Sequence, residues 1–415
     1  MRTGATVRAA TAEDFDALHD VVDIAFHRGS PERRRLRMRA LQDEGLGLVA
    51  VDGDRIVGTT GAWSWDLGVP GGTLPVAAIT IVTVLPTHRR RGILRALMER
   101  ATADARDRGE PLAALWASEG GIYGRFGYGP ATWVREGRAQ LRGGLGLRPP
   151  TTGPEADLPL RLLTAEEAHP VVAPVFERAR ARRGGLLSRD GTWWTVRLLA
   201  DEPEDRGGAS PLRVVVAGDD GYALYRVREG ATTGPVSAWT TVEVAELVAV
   251  TPAAERALLA FLSSIDLADE LVLDARPVDD PLLHTTADVR AIVPGTPADA
   301  LWLRILDVPA AVAGRSWAAD VDLVLEVLHP EDPVVAGRWR LRGTSGAPGA
   351  VVAARTDGPA DLVLHARDLG SLYLGGATAT GLRDAGAINE ATAGTAVALD
   401  AALRVERAPW TAGVF

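Results

Sequence analysis

The chain has 415 residues, which at about 150 residues per domain predicts three domains, and its 47% hydrophobic and 24% charged residues are typical of globular proteins. A net charge of -9 opposes binding to polyanions, so nucleic acid is disfavoured as a partner, whereas a cationic small substrate would be attracted. The absence of cysteine excludes disulfides, cysteine metal sites and thiol nucleophiles, and no metal site is predicted.

Targeting signals are also missing from the sequence. Residues 1–16 contain no apolar run long enough for a signal peptide, and there is no stretch of about 18 consecutive apolar residues that would span a membrane. The sequence therefore predicts a cytoplasmic protein with no membrane partner.

The first third of the chain alternates strand and helix patterns. A strand is predicted at 6–10, and a helix follows to Phe26 from the capping sequence Thr11-Ala12-Glu13-Asp14. The next predictions are a hairpin of 46–51 and 55–65, a β-branched strand over 75–84, an amphipathic helix over 92–108 and a short strand over 112–117.

The middle of the chain repeats this arrangement. A glycine- and proline-rich stretch at 142–157 predicts a linker, and 160–167 then repeats the strand, cap hydroxyl and carboxylate spacing of 7–14. Residues 247–252 and the helix predicted after them resemble 82–86 and its helix. The sequence therefore predicts a duplicated α/β unit.

From about residue 291 the pattern changes to several short strands. This third part is predicted to be α+β with its own sheet, so the predicted fold class is α/β followed by α+β.

The strand end Val82-Thr83-Val84 and the helix start Arg89-Arg90-Arg91-Gly92 favour a phosphate site. Backbone N–H groups and the helix dipole converge there, and Gly92 allows close approach of a pyrophosphate. The guanidinium groups of Arg90, Arg91 and Arg95 can pair with phosphate oxygens, and the strand edge at Val82 and Val84 can bond pantetheine amides. The alternative is a solvated basic helix start.

The segment has neither the Gly-Lys-Ser/Thr of nucleoside triphosphate loops nor the Gly-x-Gly-x-x-Gly of dinucleotide loops. The second copy has no arginine run after Pro252, where it reads Ala253-Ala254-Glu255-Arg256. It is expected to have lost cofactor binding.

The strand and the run 89–92 resemble motif A of the GNAT acetyltransferases, with Leu94 where many members have glycine or alanine. Four longer strings resemble the Eis (enhanced intracellular survival) acetyltransferases, and the likeness spans nearly the whole chain. These strings are 86–92, 117–131, 220–227 and 369–375.

The resemblance implies tandem GNAT folds followed by a sterol carrier protein-like domain, assembled as a homohexamer. The corresponding domains are a catalytic GNAT domain at 1–145, a degenerate GNAT domain at 158–290, and a sterol carrier protein-like domain at 291–415 that bears the catalytic C-terminus.

The resemblance also implies acetyl-CoA as cosubstrate and assigns residues around it. A backbone N–H near Val84 would hold the oxyanion, Tyr123 matches the family's general acid, and Tyr128 is its nearby competitor. The residues expected to bind the cofactor are Val82, Thr83, Val84, Arg90, Arg91, Gly92, Ile93, Leu94, Arg95, Ser118 and Glu119.

The general base is harder to assign. Residue types alone leave Glu119, Asp66, His27 and His88 open. In the Eis family the base is the C-terminal carboxylate of a terminal phenylalanine, which Phe415 matches, and a carboxylate of pKa about 3.5 is ionised at neutral pH. The apolar tail 408–415 indicates docking into protein rather than fraying.

The acceptor is expected to be a small-molecule amine such as an aminoglycoside or polyamine. Trp63, Trp65 and Phe26 are expected near the substrate groove, although aromatic residues at this spacing are often part of a core. Two alternatives remain: acetylation of lysine side chains in proteins or peptides, and a noncatalytic coenzyme A or lipid binder that uses the third domain.

Overall fold

The computed structural model describes residues 4–27, 29, 32–41, 46–142, 144–149, 158–230 and 240–415. The predicted linker at 142–157 lies mostly outside the described residues. The chain divides into two compact units, of which the first comprises Met1–Thr132, Ala300–Glu406 and Val414–Phe415, and the second Trp133–Asp299 and Arg407–Gly413. Strands and helices are numbered below in chain order along the whole chain.

The first unit contains a seven-stranded sheet. Its strands are β1 (Thr6–Ala9), β2 (Leu48–Asp52), β3 (Arg55–Val69), β4 (Gly72–Val84), β5 (Leu112–Trp116), β6 (Gly129–Pro130) and β15 (Leu301–Ile305), in the order β1-β2-β3-β4-β5-β15-β6. The helices that accompany it are α1 (Phe15–Ala25), α2 (Glu32–Leu41), α3 (Ile93–Asp107) and α4 (Gly120–Tyr123).

These elements confirm the strands and helices predicted for this region and add α2, α4 and β6. The sequence of α2, with five arginines in ten residues, shows no apolar face that would have predicted it. The core of the sheet includes the fully buried Leu97 of α3 and Leu18 of α1.

A gap opens between β4 and β5. The two strands pair in parallel from Val76 and Leu112 to Ile79 and Leu115, and beyond this point β4 continues unpaired with β5 to Val84. A β-bulge marks the departure, because Ile81 has a φ of 43° in the left-handed region. Such a backbone conformation costs free energy in a β-branched residue, so it persists only where the surrounding structure stabilises it. The bulge, and with it the separation of β4 from β5, is therefore a specific feature of this fold.

The strand β15 comes from a distant part of the sequence. It pairs antiparallel with β5 from Leu301 and Trp116 to Ile305 and Leu112, and it also pairs with β6. The first sheet is therefore completed by a segment that follows the Trp133–Asp299 part of the second unit in the chain.

A separate five-stranded sheet also belongs to the first unit, as predicted for the third part of the sequence. Its strands are β16 (Val321–Leu328), β17 (Gly337–Gly343), β18 (Val351–Arg355), β19 (Leu362–His365) and β20 (Ile388–Glu390), in the order β18-β17-β16-β19-β20. The helices here are α8 (Val308–Ala313), α9 (Ala366–Tyr373), α10 (Ala379–Asp384) and α11 (Thr395–Leu403).

The second unit repeats the order of the first. Its strands are β7 (Trp133–Gln140), β8 (Leu160–Leu163), β9 (Arg213–Ala217), β10 (Gly221–Glu229), β11 (Thr240–Ala249), β12 (Glu270–Pro277), β13 (Ile292–Pro294) and β14 (Ala298–Asp299), with helices α5 (Ala165–Arg180), α6 (Gly191–Trp193) and α7 (Pro252–Ser263). The parallel pair β11 and β12 with α7 between them corresponds to β4, α3 and β5.

The capping box predicted for the second copy is present. The Glu167 N–H donates to Thr164 Oγ1 at 3.3 Å, and the Thr164 N–H donates to the Glu167 carboxylate at 3.0 Å. This pair starts α5 as its counterpart, Thr11 with Asp14, starts the helical segment of the first copy.

The second copy differs at the position of the cofactor motif. Only residues 250 and 251 separate β11 from α7, whereas residues 85–92 separate β4 from α3. The buried Arg276 donates to the Leu247 carbonyl at 2.9 Å and pairs with Glu255 of α7 and with Asp280. A charged cluster therefore lies beside β11 and the start of α7.

Candidate active site

A cavity of about 410 Å³ opens in the first unit where β4 separates from β5. Three segments form its wall: the end of α1, the connection from β4 into α3, and the stretch that contains α4. Among the residues predicted to bind the cofactor, those that line it are Val82, Thr83, Val84, Arg90, Gly92, Ile93, Leu94, Arg95, Ser118 and Glu119.

The start of α3 presents unpaired backbone donors to this cavity. Gly92 caps the helix with a φ of 83°, a conformation that glycine adopts without the cost a side chain would add. The first backbone bond at this end runs from the Ala96 N–H to the Gly92 carbonyl, at 3.1 Å. The N–H groups of the first turn are therefore available to an anion, and the helix dipole favours negative charge there.

The arginines of the motif point in different directions. Arg89 and Arg90 line the cavity, and within the part of the chain that the structure describes neither forms an ion pair. The Arg91 guanidinium instead donates to the Thr87 carbonyl at 3.1 Å and lies 3.7 Å from Asp52. Its side chain is thus held away from the cavity wall.

Arg95 lines the cavity and also pairs with Glu331 at 2.8 Å. Arg125, which sequence reasoning did not single out, is a further cation in the wall. Its Nε donates to the Ile122 carbonyl at 3.0 Å, and its guanidinium lies 5.4 Å from the centre of the Phe126 ring. Only its place in the glycine-rich string 117–131 could have drawn attention to it.

The free edge of β4 offers a donor directed into the gap. The Leu85 N–H donates to the Val57 carbonyl of β3 at 2.9 Å. Because successive N–H groups of a strand point to opposite sides, the Val84 N–H is directed away from β3, toward the cavity that Val84 lines. This N–H can therefore donate to an acceptor in the cavity.

Tyr123 reaches the cavity as the last residue of α4. Only 6% of the residue is exposed, and burial, followed by the negative charge of Glu119, raises its pKa to about 12. The Tyr123 phenol therefore keeps its proton throughout the physiological pH range, as a proton donor must.

Tyr128 lies behind Tyr123 rather than in the cavity wall. Its ring contacts that of Tyr123 edge-on at 6.3 Å between centroids, and its pKa is also raised to about 12, mainly by burial. The residue is 1% exposed. Of the two competing tyrosines, Tyr123 is the one that lines the cavity.

The segment that carries both tyrosines is packed against α9. A side chain at Gly129 would overlap the Arg367 carbonyl oxygen, so only glycine fits at this contact. The helix α9, which lies more than 230 positions later in the sequence, thus supports the loop that positions Tyr123.

Phe415 lies beside β4, close to two of the aromatic residues predicted near the groove. Its ring contacts Trp63 and Trp65 edge-on, with centroids 6.3 Å and 5.9 Å apart, and these two indoles stack on each other at 4.9 Å. The Thr80 hydroxyl donates to a Phe415 oxygen at 3.4 Å. Phe415 does not line the 410 Å³ cavity, whereas Phe26 does.

Most of the tail that leads to Phe415 is buried, as its apolar sequence predicted, although Val414 is exposed. Within the second unit the Trp410 indole N–H donates to the Ala275 carbonyl at 2.6 Å, and the Thr411 hydroxyl donates to the Gly185 carbonyl at 2.8 Å. Val414 and Phe415 belong to the first unit.

Of the other candidates for the general base, two line the cavity and two are exposed. His88 lines the cavity, but its Nδ1 bonds the Thr87 hydroxyl at 2.8 Å and its Nε2 lies 3.4 Å from Asp52. Glu119 lines the cavity next to Tyr123, while His27 and Asp66 are exposed.

Three family models match the chain. Residues 6–131 and 185–305 each match an acetyltransferase (GNAT) domain, and residues 308–412 match a sterol carrier protein domain. An uncharacterized N-acetyltransferase of Streptomyces coelicolor is 40% identical over 414 residues, which cover 97% of this chain and 98% of that protein. The N-acetyltransferase Eis of Mycobacterium tuberculosis is 36% identical over 324 residues, which cover 78% of this chain and 77% of that protein.

This chain is a member of the Eis family of N-acetyltransferases. The crystal structure of Eis1 from Mycobacterium abscessus matches it with a TM-score of 0.85 and 34% identity, over 99% of this chain and 100% of that one. The predicted family, the tandem GNAT folds with a sterol carrier protein-like domain, and the assignment as an acetyltransferase enzyme are confirmed.

In this Eis-family enzyme the second GNAT match extends to residue 305 and so includes β15, which completes the first sheet. Across the described ranges, no three histidine or acidic side chains are grouped so that they could hold a metal ion. No helix among the same residues is both long enough and apolar enough to cross a membrane.

Proposed function

We propose that this enzyme transfers the acetyl group of acetyl-CoA to amine groups of small molecules, with aminoglycosides and polyamines as the first candidates. The observation that carries the proposal is the cavity at the splayed end of β4, where the anion-binding start of α3 and the Tyr123 phenol face one space. Bound acetyl-CoA would supply the thioester.

The residues of the cavity suit the parts of this cosubstrate. The first-turn N–H groups of α3, from Gly92 through Ile93 and Leu94, and the Arg90 guanidinium would bind phosphate oxygens. The side chain of Arg95 and the backbone N–H of Arg91 would add to this anion site. The edge from Val82 through Thr83 to Val84, with Ser118 and Glu119 opposite, would hold the pantetheine arm.

Each step of direct transfer has a candidate residue. The Val84 N–H would stabilise the oxyanion formed when the amine attacks the thioester carbonyl. The Tyr123 phenol would donate a proton to the departing sulfur, because its raised pKa keeps it protonated. The Phe415 carboxylate would accept the proton that the attacking amine loses, directly or through water.

The support for Phe415 is its position. Thr80, which bonds it, precedes the bulged Ile81 and stands two positions from Val82 in the cavity wall. His88 is a weaker candidate, since both of its ring nitrogens already face partners, Thr87 and Asp52.

The domain limits 1–145, 158–290 and 291–415, the homohexameric assembly and a cytoplasmic location are part of the same proposal. They rest on the resemblance to the Eis family, together with the limits of the matched family models. Size-exclusion chromatography with light scattering would test the assembly.

The proposed activity is tested with a panel of aminoglycosides, polyamines and simple amines, and with a lysine-containing peptide. Thiol release from acetyl-CoA and the mass of each product are recorded together. Acetylated small amines are the expected result. Acetylation of the peptide alone would support the protein-lysine alternative, and acetyl-CoA binding without thiol release would support a noncatalytic coenzyme A binder.

A further inference from the structure

A second, smaller cavity of about 30 Å³ lies beside β4 in the first unit. Met38 and Leu41 of α2, Ala62 and Trp63 of β3, and Thr80 and Ile81 of β4 contribute to its wall. His19 of α1, Gly47 and Gly61 complete the described wall, so the lining is mainly apolar. Its volume is enough for more than one water molecule, and apolar walls of this kind favour an apolar occupant over water.

The position of this small cavity connects it to the reaction. Thr80 in its wall donates to the Phe415 oxygen at 3.4 Å, and Trp63 in its wall contacts the Phe415 ring. Ile81 is followed directly by Val82, which lines the large cavity. An amine placed between the Phe415 carboxylate and a thioester at Val82 and Val84 would therefore have its substituent next to the small cavity.

The wall of the small cavity is fixed by specific contacts. Met38 and Leu41 are three residues apart on α2, so they share one face of the helix. The Trp63 indole N–H donates to the Leu41 carbonyl at 2.8 Å and ties the end of α2 to β3. The cavity thus has a defined size that can discriminate among substituents.

The lining of the small cavity argues against a polycation at this place. None of its described lining residues is acidic, so a second ammonium group placed there would lose hydration without gaining a counter-charge. A monoamine presents one charge, which the Phe415 carboxylate can balance.

We infer that the acceptor is a monoamine that carries a compact apolar group, alkyl or aryl, and that this group occupies the small cavity. The inference rests on the proposed function, acetyl transfer to a small-molecule amine, and replaces aminoglycosides and polyamines with monoamines as the first candidates. It makes Met38, Leu41 and Ala62 residues that determine specificity.

The test is a series of n-alkylamines of increasing chain length, with 2-phenylethylamine and spermidine, assayed for thiol release at saturating acetyl-CoA. The n-alkylamines share nearly the same basicity, so the series varies the apolar group alone. The expected kcat/KM rises about fourfold for each methylene that is buried, passes through a maximum when the cavity is full and then falls. The kcat/KM for spermidine is expected to be at least tenfold lower than that for the best alkylamine.

Two variants sharpen the test. Met38→Ala enlarges the cavity and is expected to move the maximum to a longer chain, whereas Leu36→Ala, on the same helix but 60% exposed and outside the cavity wall, should leave the maximum unchanged. If Met38→Ala does not fold, the chain-length profile of the wild-type enzyme decides alone.

A flat profile, or spermidine as the best acceptor, would overturn the inference while the proposed function stands. Failure of every amine to release thiol, with acetyl-CoA binding seen by calorimetry, would instead refute the proposed function itself.

Discussion

Thr80 and Phe415, 335 positions apart in the sequence, meet through a hydrogen bond of 3.4 Å from the Thr80 hydroxyl to an oxygen of Phe415. The bond places Phe415 beside β4, the middle strand of the first sheet. Thr80 directly precedes Ile81, the bulged residue of this strand. Because the stacked indoles of Trp63 and Trp65 also contact the Phe415 ring, its position is held by three side chains.

The first prediction concerns this chain end. Adding one glycine after Phe415 displaces the carboxylate and is expected to lower kcat by about 100-fold or more, the usual cost of losing a general base. The affinity for acetyl-CoA, measured by calorimetry, should not change. Val414→Ala, at an exposed side chain, is the control for disturbance of the tail. Unchanged turnover in the extended protein would remove Phe415 from the reaction.

The second prediction separates two arginines of the cofactor motif. Arg90→Ala should weaken acetyl-CoA binding by about tenfold or more, because a charge-assisted bond to phosphate is lost. Arg91→Ala should have a smaller effect, because that guanidinium contacts the Thr87 carbonyl and Asp52 and its backbone N–H remains. Calorimetric titration at two salt concentrations compares them, and the reverse order of effects would contradict this assignment.

The third prediction concerns how kcat depends on pH in the alkaline range. A general acid must be protonated, so its contribution is present below its pKa and is lost as the pH rises through it. Burial of Tyr123, together with the charge of Glu119, raises its pKa to about 12. The rate should therefore show no decline up to about pH 10, where an ordinary tyrosine would be half ionised.

The measurement is a profile of kcat against pH, with circular dichroism at each point to verify that the protein is folded. A decline that begins near pH 8 with the fold intact would place the acid at another group.

The fourth prediction concerns stability. Asp332 is buried and pairs with Arg106 at 2.6 Å and with Arg304 at 2.7 Å. Burial alone would raise the pKa of this carboxyl, but the hydrogen bonds and charges of the two arginines outweigh it, so the pKa is lowered. Asp332→Asn should lower the free energy of unfolding by about 3 kcal/mol near neutral pH, because it leaves the buried Arg304 and the half-buried Arg106 without a counter-charge.

The sign of the pH dependence follows from the lowered pKa. The ion pairs stabilise the folded state above the unfolded pKa of aspartate, about 3.9, and this contribution is lost as the pH falls through the folded pKa. The difference between wild type and variant in urea unfolding should therefore shrink in acid. Asp322→Asn, which breaks the exposed pair with Arg340, is the matched control and should change little at any pH.

Structural features that depend on residues close together in the sequence could be predicted. The strand that ends at Val84, the glycine start of α3 and the capping box at Thr164 each depend on side chains a few positions apart, and all were predicted. The glycine-rich string around Tyr123 was identified by its resemblance to the Eis family, and its close packing against α9 leaves room only for glycine at Gly129.

Features that depend on distant partners could not be predicted. Nothing local indicates that β15 completes the first sheet, since its register is set by β5 some 190 positions earlier in the chain. The pairing of Arg91 with Asp52, the charged cluster of Arg276 and the small cavity beside Ile81 likewise require the folded chain. The helix α2 was not predicted because its five arginines leave no apolar face in its sequence.

The fifth prediction tests the central claim, that Tyr123 donates the proton in acetyl transfer at this cavity. Single-turnover thiol release is measured for Tyr123→Phe and for Tyr128→Phe, with enzyme in excess over acetyl-CoA and a saturating amine. Tyr123→Phe should slow release by about 100- to 10,000-fold with acetyl-CoA affinity unchanged, whereas Tyr128→Phe, outside the cavity wall, should slow it far less. Equal rates for Tyr123→Phe and the wild type would contradict the account.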